Sequence, residues 1–83
     1  MYKVNFSKKA SKSLQDISES FYSNIKKSIL SLSQNPRPFG YKKLKNREAY
    51  RIRVGNYRVI YEIFNTELII DIIDLGHRKD IYD

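Results

Sequence analysis

The sequence contains no cysteine and only one histidine among its 83 residues. Without cysteine, neither disulfide bonds nor thiolate metal ligands are available to the chain. A single histidine also leaves too few of the ligands on which structural zinc sites depend. We therefore expect neither a metal nor another cofactor in this protein.

Long apolar runs are also missing. No run approaches the roughly 20 residues that a membrane-spanning helix needs, and the N-terminus lacks the apolar segment of a secretory signal. We therefore expect a cytoplasmic protein without a membrane partner. The length predicts a single domain over residues 1–83. A chain of this size buries only about 60% of its unfolded surface, which predicts modest stability.

Positive charge is abundant and unevenly distributed. Sixteen lysines and arginines stand against nine acids, which gives a formal net charge of +7. Eight of those 16 basic residues lie between Arg37 and Arg58, where Glu48 is the only acid. A small domain with this charge distribution favours nucleic acid or another polyanion as its partner.

Residues 50–63 predict a β-hairpin. Apolar residues alternate with Arg51 and Arg53 before Gly55-Asn56, as they do in a half-buried strand. Both residues of the Gly-Asn pair tolerate positive φ, which a two-residue hairpin turn requires. This turn predicts the cross-strand register: Val54 opposite Tyr57, Arg53 opposite Arg58, Ile52 opposite Val59, and Arg51 opposite Ile60.

Three arginines of this hairpin are expected to converge, because directly paired residues share a face of a sheet. Arg51, Arg53 and Arg58 then lie on one side, with only Glu62 nearby in the strand pattern. Facing like charges destabilise a sheet by about 0.2–1 kcal/mol. One interpretation is a solvated charged face. The other is a phosphate site, because the guanidinium fork matches phosphate oxygens, and the clustering favours this second interpretation.

The N-terminal half predicts a strand and two helices. Residues 1–6 alternate as a strand does, and a helix follows from Ser7, its N-cap, to about residue 18. A second helix runs from about residue 20 to 33, where Asn35-Pro36 ends it. The expected apolar stripes are Ala10, Leu14, Ile17 and Phe21 in the first helix, and Tyr22, Ile25, Ile29 and Leu32 in the second. The two helices are expected to pack as a hairpin on one sheet face.

The C-terminal part predicts one more strand. Residues 67–75 are rich in leucine and isoleucine, which indicates a central strand buried on nearly both faces. Asp71 and Asp74 interrupt it, and either acid is a candidate to lie near an arginine and hold it in place. Residues 76–83 are too few for a stable helix of their own.

A basic loop, residues 36–46, separates the helices from the hairpin. We expect Phe39, Tyr41 and Leu44 to be its apolar anchors. Its basic residues are typical of a solvated connector or of a surface that follows a nucleic-acid backbone. We favour a combination of these two interpretations, in which the apolar residues anchor the loop and the lysines remain mobile. The candidate RNA- or ribosome-binding residues here and just beyond are Lys42, Lys43, Lys45 and Arg47.

Three stretches, in this order and in a chain of this length, carry a resemblance to a known family. They are residues 35–44 (NPRPFGYKKL), 50–61 (YRIRVGNYRVIY) and 76–82 (GHRKDIY). Together they resemble the RelE/ParE superfamily of bacterial and archaeal toxins, most closely its RelE branch. The resemblance implies an α+β fold with an N-terminal strand, a two-helix hairpin and a three-stranded antiparallel meander, the helices packing on one face of the sheet.

The resemblance also implies a function. RelE-like proteins are ribosome-dependent endoribonucleases that cut mRNA in the ribosomal A site. The implied partners are therefore the ribosome, mRNA and a cognate antitoxin, with promoter DNA bound only through that antitoxin. Cleavage of this kind uses the ribose 2′-hydroxyl as the nucleophile on its own 3′-phosphate, and it needs no metal.

Matching positions imply catalytic roles. The family's basic pair before the turn corresponds to Arg51 and Arg53, its arginine after the turn to Arg58, its arginine after the last strand to Arg78, and its tail tyrosine to Tyr82. Arg53 and Arg58 suit stabilisation of the charge on a five-coordinate phosphorane. For Arg78 the alternatives are stabilisation of the phosphate and protonation of the leaving group. For Tyr82 they are stacking on a base and orientation of the 2′-hydroxyl.

The general base is where this chain departs from its relatives. Some relatives carry lysines where this chain has Arg51 and Arg53, and arginine is a poor base because it stays charged at cellular pH. Other members use a glutamate or histidine pair. Histidine titrates in the useful range, so His77 is a further catalytic candidate, with a structural or solvated role as the alternative. Glu48 is expected instead to balance Arg47 or Lys45.

Two other functions compete with the nuclease. ParE-like relatives share the fold but inhibit DNA gyrase and lack a full nuclease cluster. A plain RNA-binding module would grip the backbone with the three hairpin arginines and stack bases on tyrosines. Four arginines and a tail tyrosine favour the RelE-type nuclease over both alternatives.

Overall fold

The computed structural model describes residues 1–77, which form two helices and five strands. In chain order these are β1 (Lys3–Phe6), α1 (Lys8–Gln15), α2 (Glu19–Ser31), β2 (Lys42–Lys43), β3 (Tyr50–Val54), β4 (Tyr57–Phe64) and β5 (Ile69–His77). The strands form one sheet in the order β1-β5-β4-β3-β2. β1 runs parallel to β5, and the other neighbours are antiparallel. The predicted α+β class and the β3-β4-β5 meander are confirmed.

The hairpin has the predicted register. Arg53 is the partner of Arg58, Arg51 of Ile60, and Val54 of Tyr57. Gly55 adopts a φ of 60°, the left-handed conformation that a two-residue turn between twisted strands requires. The turn residues and the period-two pattern are local features, which is why the sequence alone predicts this register.

Both helices begin close to the predicted residues, and α1 ends early. The Oγ of Ser7 accepts a hydrogen bond of 3.0 Å from the backbone N–H of Ala10, which makes Ser7 the N-cap of α1 as predicted. Helix α1 ends at Gln15 rather than near residue 18. Phe21 therefore falls in the first turn of α2 instead of extending the α1 stripe, and it remains half exposed. Its ring contacts Tyr57, with the ring centroids 5.6 Å apart.

The main core lies between the helices and one face of the sheet. Its buried members are Ala10, Leu14, Ile25, Ile29, Leu32, Ile52, Val59, Tyr61, Ile70, Ile72 and Leu75. A second, smaller cluster contains Leu44, Ala49 and Ile60, with Ile73 packed against it. Ile73 belongs to this second cluster, whereas its neighbour Ile72 belongs to the first, so β5 is buried on both sides as predicted. No helix within residues 1–77 has the length and apolar character to cross a membrane.

The basic loop differs from the prediction in two ways. Residues 42 and 43 form the short strand β2, which pairs with β3 and which a two-residue pattern cannot reveal. Phe39 is fully exposed and Tyr41 is exposed, so of the three expected anchors only Leu44 is buried. Pro36 anchors the loop instead, because its carbonyl oxygen accepts a 2.7 Å hydrogen bond from the buried hydroxyl of Tyr61. Tyr61 is the aromatic residue that fills the core at this contact, while Phe39 lies outside it.

Strand β5 begins two residues later than predicted and contains an irregularity. Residues 65–68 form the preceding turn, in which Leu68 has a φ of 58°. The register with β4 shifts between Ile60 and Tyr61, because Ile60 pairs with Asp74 whereas Tyr61 pairs with Ile72. This bulge accommodates the extra residue Ile73. It also places Asp74 on the same face as Ile60.

Candidate active site

The three hairpin arginines lie on one face of the sheet. Arg53 and Arg58 are direct cross-strand partners, and Arg51 lies opposite Ile60, two residues along β4 from Arg58. We call Arg51, Arg53, Arg58 and the surface that they share the arginine face. The helices pack on the opposite face, where the core residues Ile52 and Val59 lie. The arginine face is therefore not covered by α2.

Burial separates the three arginines. Arg51 is only 5% exposed, Arg58 is partly buried, and Arg53 is exposed. A guanidinium keeps its charge in all three settings, and its planar fork matches a phosphate group. The exposed fork of Arg53 beside the partly buried fork of Arg58 can therefore bind an anion between two strands. Arg51 is better placed to shape the electrostatic field beneath them than to contact a ligand.

A cleft of about 760 Å³ lies beside the arginine face, and its lining includes residues from both faces of β4 and β5. Its floor includes Ile60 of β4 and Asp74 and Gly76 of β5, and Gly76 is the cross-strand partner of Arg58. One wall comes from helix α1 and the following residues, and the other from the loop before β3. The remaining lining residues are Lys9, Ser13, Asp16, Ile17, Leu44, Asn46, Arg47, Tyr57, Leu75 and His77. The cleft therefore adjoins the arginine face.

Asp74 is the partly buried acid on the floor of this cleft. Its Oδ2 lies 3.1 Å from the Nζ of Lys9, and its Oδ1 accepts a 2.9 Å hydrogen bond from the backbone N–H of Leu75. The expectation that Asp74 holds an arginine is thus corrected, since its ion pair is with Lys9 of α1. Asp71, the other acid of β5, lies opposite Glu62.

His77 lies at the end of β5, beside the cleft. Its ring packs edge-on against Tyr57, with the ring centroids 5.7 Å apart and the planes at 70°. The two residues are cross-strand partners. Because side chains alternate along a strand, this pair belongs to the face opposite Arg58 and reaches the cleft from its rim. His77 is thus close to the site, although not on the arginine face itself.

The basic residues of the loop divide between the two faces. Lys42 is the partner of Arg51 and shares the arginine face, whereas Lys43 is the partner of Tyr50. The Nζ of Lys43 lies 3.4 Å from Glu48 Oε1, so Glu48 balances Lys43 rather than Arg47 or Lys45. Lys45 is exposed, and Arg47 is exposed and lines the cleft. Lys42 and Arg47 are therefore the two of these residues that lie beside the site.

A comparison with known families decides which kind of protein this is. The family described as the ParE toxin of the type II toxin–antitoxin system parDE matches residues 4–82. The chain belongs to the ParE toxin family. A protein of Methanocaldococcus jannaschii named toxin RelE1 is 34% identical to this ParE-family chain over 85 residues, which cover 98% of this chain and 94% of that protein. The predicted membership of the RelE/ParE superfamily is confirmed.

Solved structures support the same placement. A chain of the archaeal RelE–RelB complex from Pyrococcus horikoshii is 30% identical, with a TM-score of 0.82 over 96% of this chain and 98% of that one. A chain of the RelB–RelE complex from Methanococcus jannaschii is 33% identical, with a TM-score of 0.72 over 95% of both chains. A chain of the intact Escherichia coli RelBE complex has a TM-score of 0.81 at 21% identity, with 93% and 96% covered, and shares the fold.

Two predicted site residues of this ParE-family toxin, Arg78 and Tyr82, lie outside the described residues. Within residues 1–77, no group of three histidine, aspartate or glutamate side chains is arranged to hold a metal ion.

The cleft itself was not predicted. Asp74 was predicted only as a candidate partner of an arginine, and nothing in the sequence pattern assigns Lys9 or Asn46 to the site. These residues come from distant segments, so only the tertiary structure brings them together.

Proposed function

We propose that this ParE-family toxin is a ribosome-dependent endoribonuclease that cuts mRNA without a metal ion. The observation that carries the proposal is the cross-strand pair of Arg53 and Arg58, which lies on a face free of α2 and beside a cleft. Two neighbouring guanidinium forks match the oxygens of a phosphate group. The resemblance to the RelE branch, whose members cut mRNA, supports RNA as the molecule that supplies the phosphate.

The reaction uses a nucleophile that the substrate itself provides. The 2′-oxygen attacks the adjacent phosphorus as its proton leaves, the bond to the 5′-oxygen breaks, and that oxygen takes up a proton. The products are a 2′,3′-cyclic phosphate and a free 5′-hydroxyl. Negative charge develops on the non-bridging oxygens of the phosphorane, where preorganised cationic donors stabilise it more than they stabilise the ground state. Arg53 and Arg58 take this role in our proposal.

Proton transfer is assigned to residues at the end of β5 and beyond. His77 lies beside the cleft, packed on Tyr57, and is our candidate for the group that accepts the proton of the 2′-hydroxyl. Arg78 and Tyr82 keep the roles that the family resemblance implies, at the leaving group and at the base or 2′-hydroxyl. Positioning of the mRNA by the ribosome then supplies the orientation that this small chain does not provide alone.

The test is primer extension on a defined mRNA translated in a purified system. We expect the wild-type toxin to cut only codons occupied by ribosomes, and Arg58→Ala to slow cutting by about 10²–10³-fold, as loss of one transition-state donor does. Arg37→Ala is the matched control, because Arg37 lies over the ring of Tyr50, which faces the helix side of the sheet, and should leave cutting unchanged. Equal cutting by wild type and Arg58→Ala contradicts the assigned role.

One observation favours a second function. The family that matches the chain is that of the ParE toxin. Inhibition of DNA gyrase by ParE-like proteins is the alternative function considered for this sequence. Intact mRNA in cells whose growth is nevertheless arrested, together with inhibition of DNA supercoiling by gyrase in vitro, would support that function over the nuclease. The arginine face would then be a docking surface.

We also propose a cognate antitoxin as the partner that holds this toxin inactive. The related solved structures from Pyrococcus horikoshii and Methanococcus jannaschii are toxin–antitoxin complexes, and a chain with a net charge of +7 suits an acidic or mixed-charge partner. In our proposal the antitoxin covers the arginine face or displaces the tail, and it alone reads promoter DNA. Co-expression with the product of the adjacent gene should yield a complex and abolish toxicity. Separate elution of the two proteins argues against this partner.

A further inference from the structure

We propose that the cleft beside the arginine face binds one nucleobase of the substrate, and that Asp74 selects bases with an exocyclic amine over uracil. The inference rests on the proposed function for its substrate, which is RNA. It adds a specificity subsite to the site that holds the phosphate. The proposal makes Asp74 a binding residue rather than a structural one.

The position of the cleft suits a base whose phosphate lies on the arginine face. Ile60, on the cleft floor, follows Arg58 by two residues on β4, which is about 7 Å along the strand. Asp74 is the direct partner of Ile60, and Gly76 is the direct partner of Arg58. Gly76 has no side chain that would separate a phosphate at Arg58 from the carboxylate of Asp74. A nucleotide with its phosphate at Arg58 can therefore extend its base toward Asp74.

The size and lining of the cleft suit a base as well. Its volume of about 760 Å³ is in the range of small-molecule sites, which combine apolar walls with a few convergent polar groups. Ile60, Leu44 and Tyr57 provide apolar surface for a base. Apolar contact alone does not distinguish bases, so discrimination must come from the polar groups.

Asp74 supplies that discrimination. Its carboxylate is oriented by the Nζ of Lys9 at 3.1 Å and by the N–H of Leu75 at 2.9 Å, one bond to each oxygen. A carboxylate has about four acceptor positions, so two remain. They can accept from the amine of cytosine, adenine or guanine, and acidic side chains accept from cytosine N4 in known recognition. Uracil has no exocyclic amine, and its one donor on the pairing edge, N3–H, lies between two carbonyl oxygens that repel a carboxylate.

The first experiment reads the base preference from cleavage. Primer extension over a mixed set of codons with wild-type toxin should show uracil depleted about tenfold at one position next to the cut, the effect expected of one well-formed hydrogen-bonded base contact. Asp74→Asn should bring uracil to within about twofold of the other bases. Glu67→Gln, which makes the same charge change in the exposed turn before β5, should keep the wild-type pattern. An unchanged pattern in a folded Asp74→Asn protein overturns the proposal.

The second experiment does not depend on cleavage. Cytidine and uridine monophosphate are titrated into the purified wild-type chain, and the backbone amide signals of Leu75 and Gly76 are followed by NMR. We expect larger shifts and tighter binding with cytidine monophosphate, and loss of that difference in Asp74→Asn. Equal responses to the two nucleotides overturn the proposal. Discrimination between them in a protein that cuts no mRNA supports the base site and shows that the proposed nuclease function has failed by itself.

Discussion

At the scale of single residues, two side chains that end in polar groups, those of Tyr61 and Arg51, are buried. Tyr61 is fully buried, and its hydroxyl donates to the carbonyl oxygen of Pro36 at 2.7 Å. Arg51 is 5% exposed on the other side of the sheet. Tyr61 connects the helix-side core to the basic loop, and Arg51 is the buried member of the arginine face. Both have roles that a count of polar residues would not reveal.

Tyr61→Phe tests the value of that buried hydroxyl. The substitution leaves the Pro36 carbonyl without its partner, so we expect the free energy of unfolding to fall by about 1 kcal/mol. For a domain of this size the melting temperature should fall by roughly 4–8 °C. Denaturant and thermal unfolding followed by circular dichroism measure both quantities. Tyr2→Phe, which removes an exposed hydrogen bond to Asn65, should change stability by less than about 0.5 kcal/mol.

Tyr61→Phe should also change the pH dependence of stability. Burial is the main cause that raises the pKa of Tyr61 well above its usual value. Above about pH 10 the unfolded chain releases the phenolic proton while the folded chain keeps it. Stability therefore falls as the pH rises from there toward the folded pKa. Wild type should lose more stability than Tyr61→Phe between pH 9 and 11, and equal losses would contradict the role of this hydroxyl.

At the scale of elements, helix α1 is connected to the sheet at its N-cap. Ser7 accepts from the N–H of Ala10 and donates its hydroxyl to the carbonyl oxygen of Ile73, both at 3.0 Å. The backbone N–H of Ser7 also donates to the carbonyl oxygen of Ile72. Ile73 is the extra residue of the β5 bulge and precedes Asp74. One serine thus connects the bulge to the helix that carries Lys9, and it sets one wall of the cleft.

Ser7→Ala should therefore lower the free energy of unfolding by a large amount for the loss of one partly buried hydroxyl. Loss of the cap is typically worth about 1 kcal/mol, and loss of the bond to Ile73 adds a similar amount. Urea unfolding should show a decrease of about 1–2 kcal/mol. Ser18→Ala is the matched control at the start of α2, because the Ser18 side chain makes no capping hydrogen bond. Equal effects at the two positions would mean that the cap and the connection to β5 contribute little.

At the scale of the whole molecule, charge and shape act together. The net charge of +7 is distributed so that Arg53, Arg58 and Lys42 share one face of the sheet, beside the cleft. A basic surface of this kind attracts any polyanion at low salt and loses affinity as salt displaces it. The sheet face under the helices holds the main core, while the opposite face holds the smaller cluster around Ile60 together with the exposed Arg53.

This arrangement predicts the salt dependence of RNA binding. A single-stranded RNA that engages about three cations should lose affinity with a log–log slope of about −2 against salt. Arg53→Ala should reduce the magnitude of that slope by about 0.7, because one phosphate contact is lost. Fluorescence anisotropy with a 2′-O-methyl RNA measures binding without cutting. Lys27→Ala, an equal charge loss on exposed α2 surface, should leave the slope near the wild-type value.

Much of the fold could be predicted because its signals are local. The Gly55-Asn56 turn and the alternation around it predicted the register of Arg53 with Arg58, and Ser7 predicted the start of α1. The loop was harder to predict. Phe39 is a large apolar residue of the kind that anchors a loop, yet it is fully exposed, and the loop is held instead by the bond from Tyr61 to Pro36. Residue type alone does not show which part of a loop will meet a distant strand.

The sequence by itself determined the α+β class, the family and the cross-strand pair of arginines, since each depends on residues close together or on a motif in fixed order. The tertiary structure alone decided that a bulge places Asp74 beside Ile60, that Lys9 rather than an arginine pairs with it, and that a cleft adjoins the arginine face. These features join α1, the basic loop and β5 across more than 60 residues. Their contacts form only when the whole chain packs.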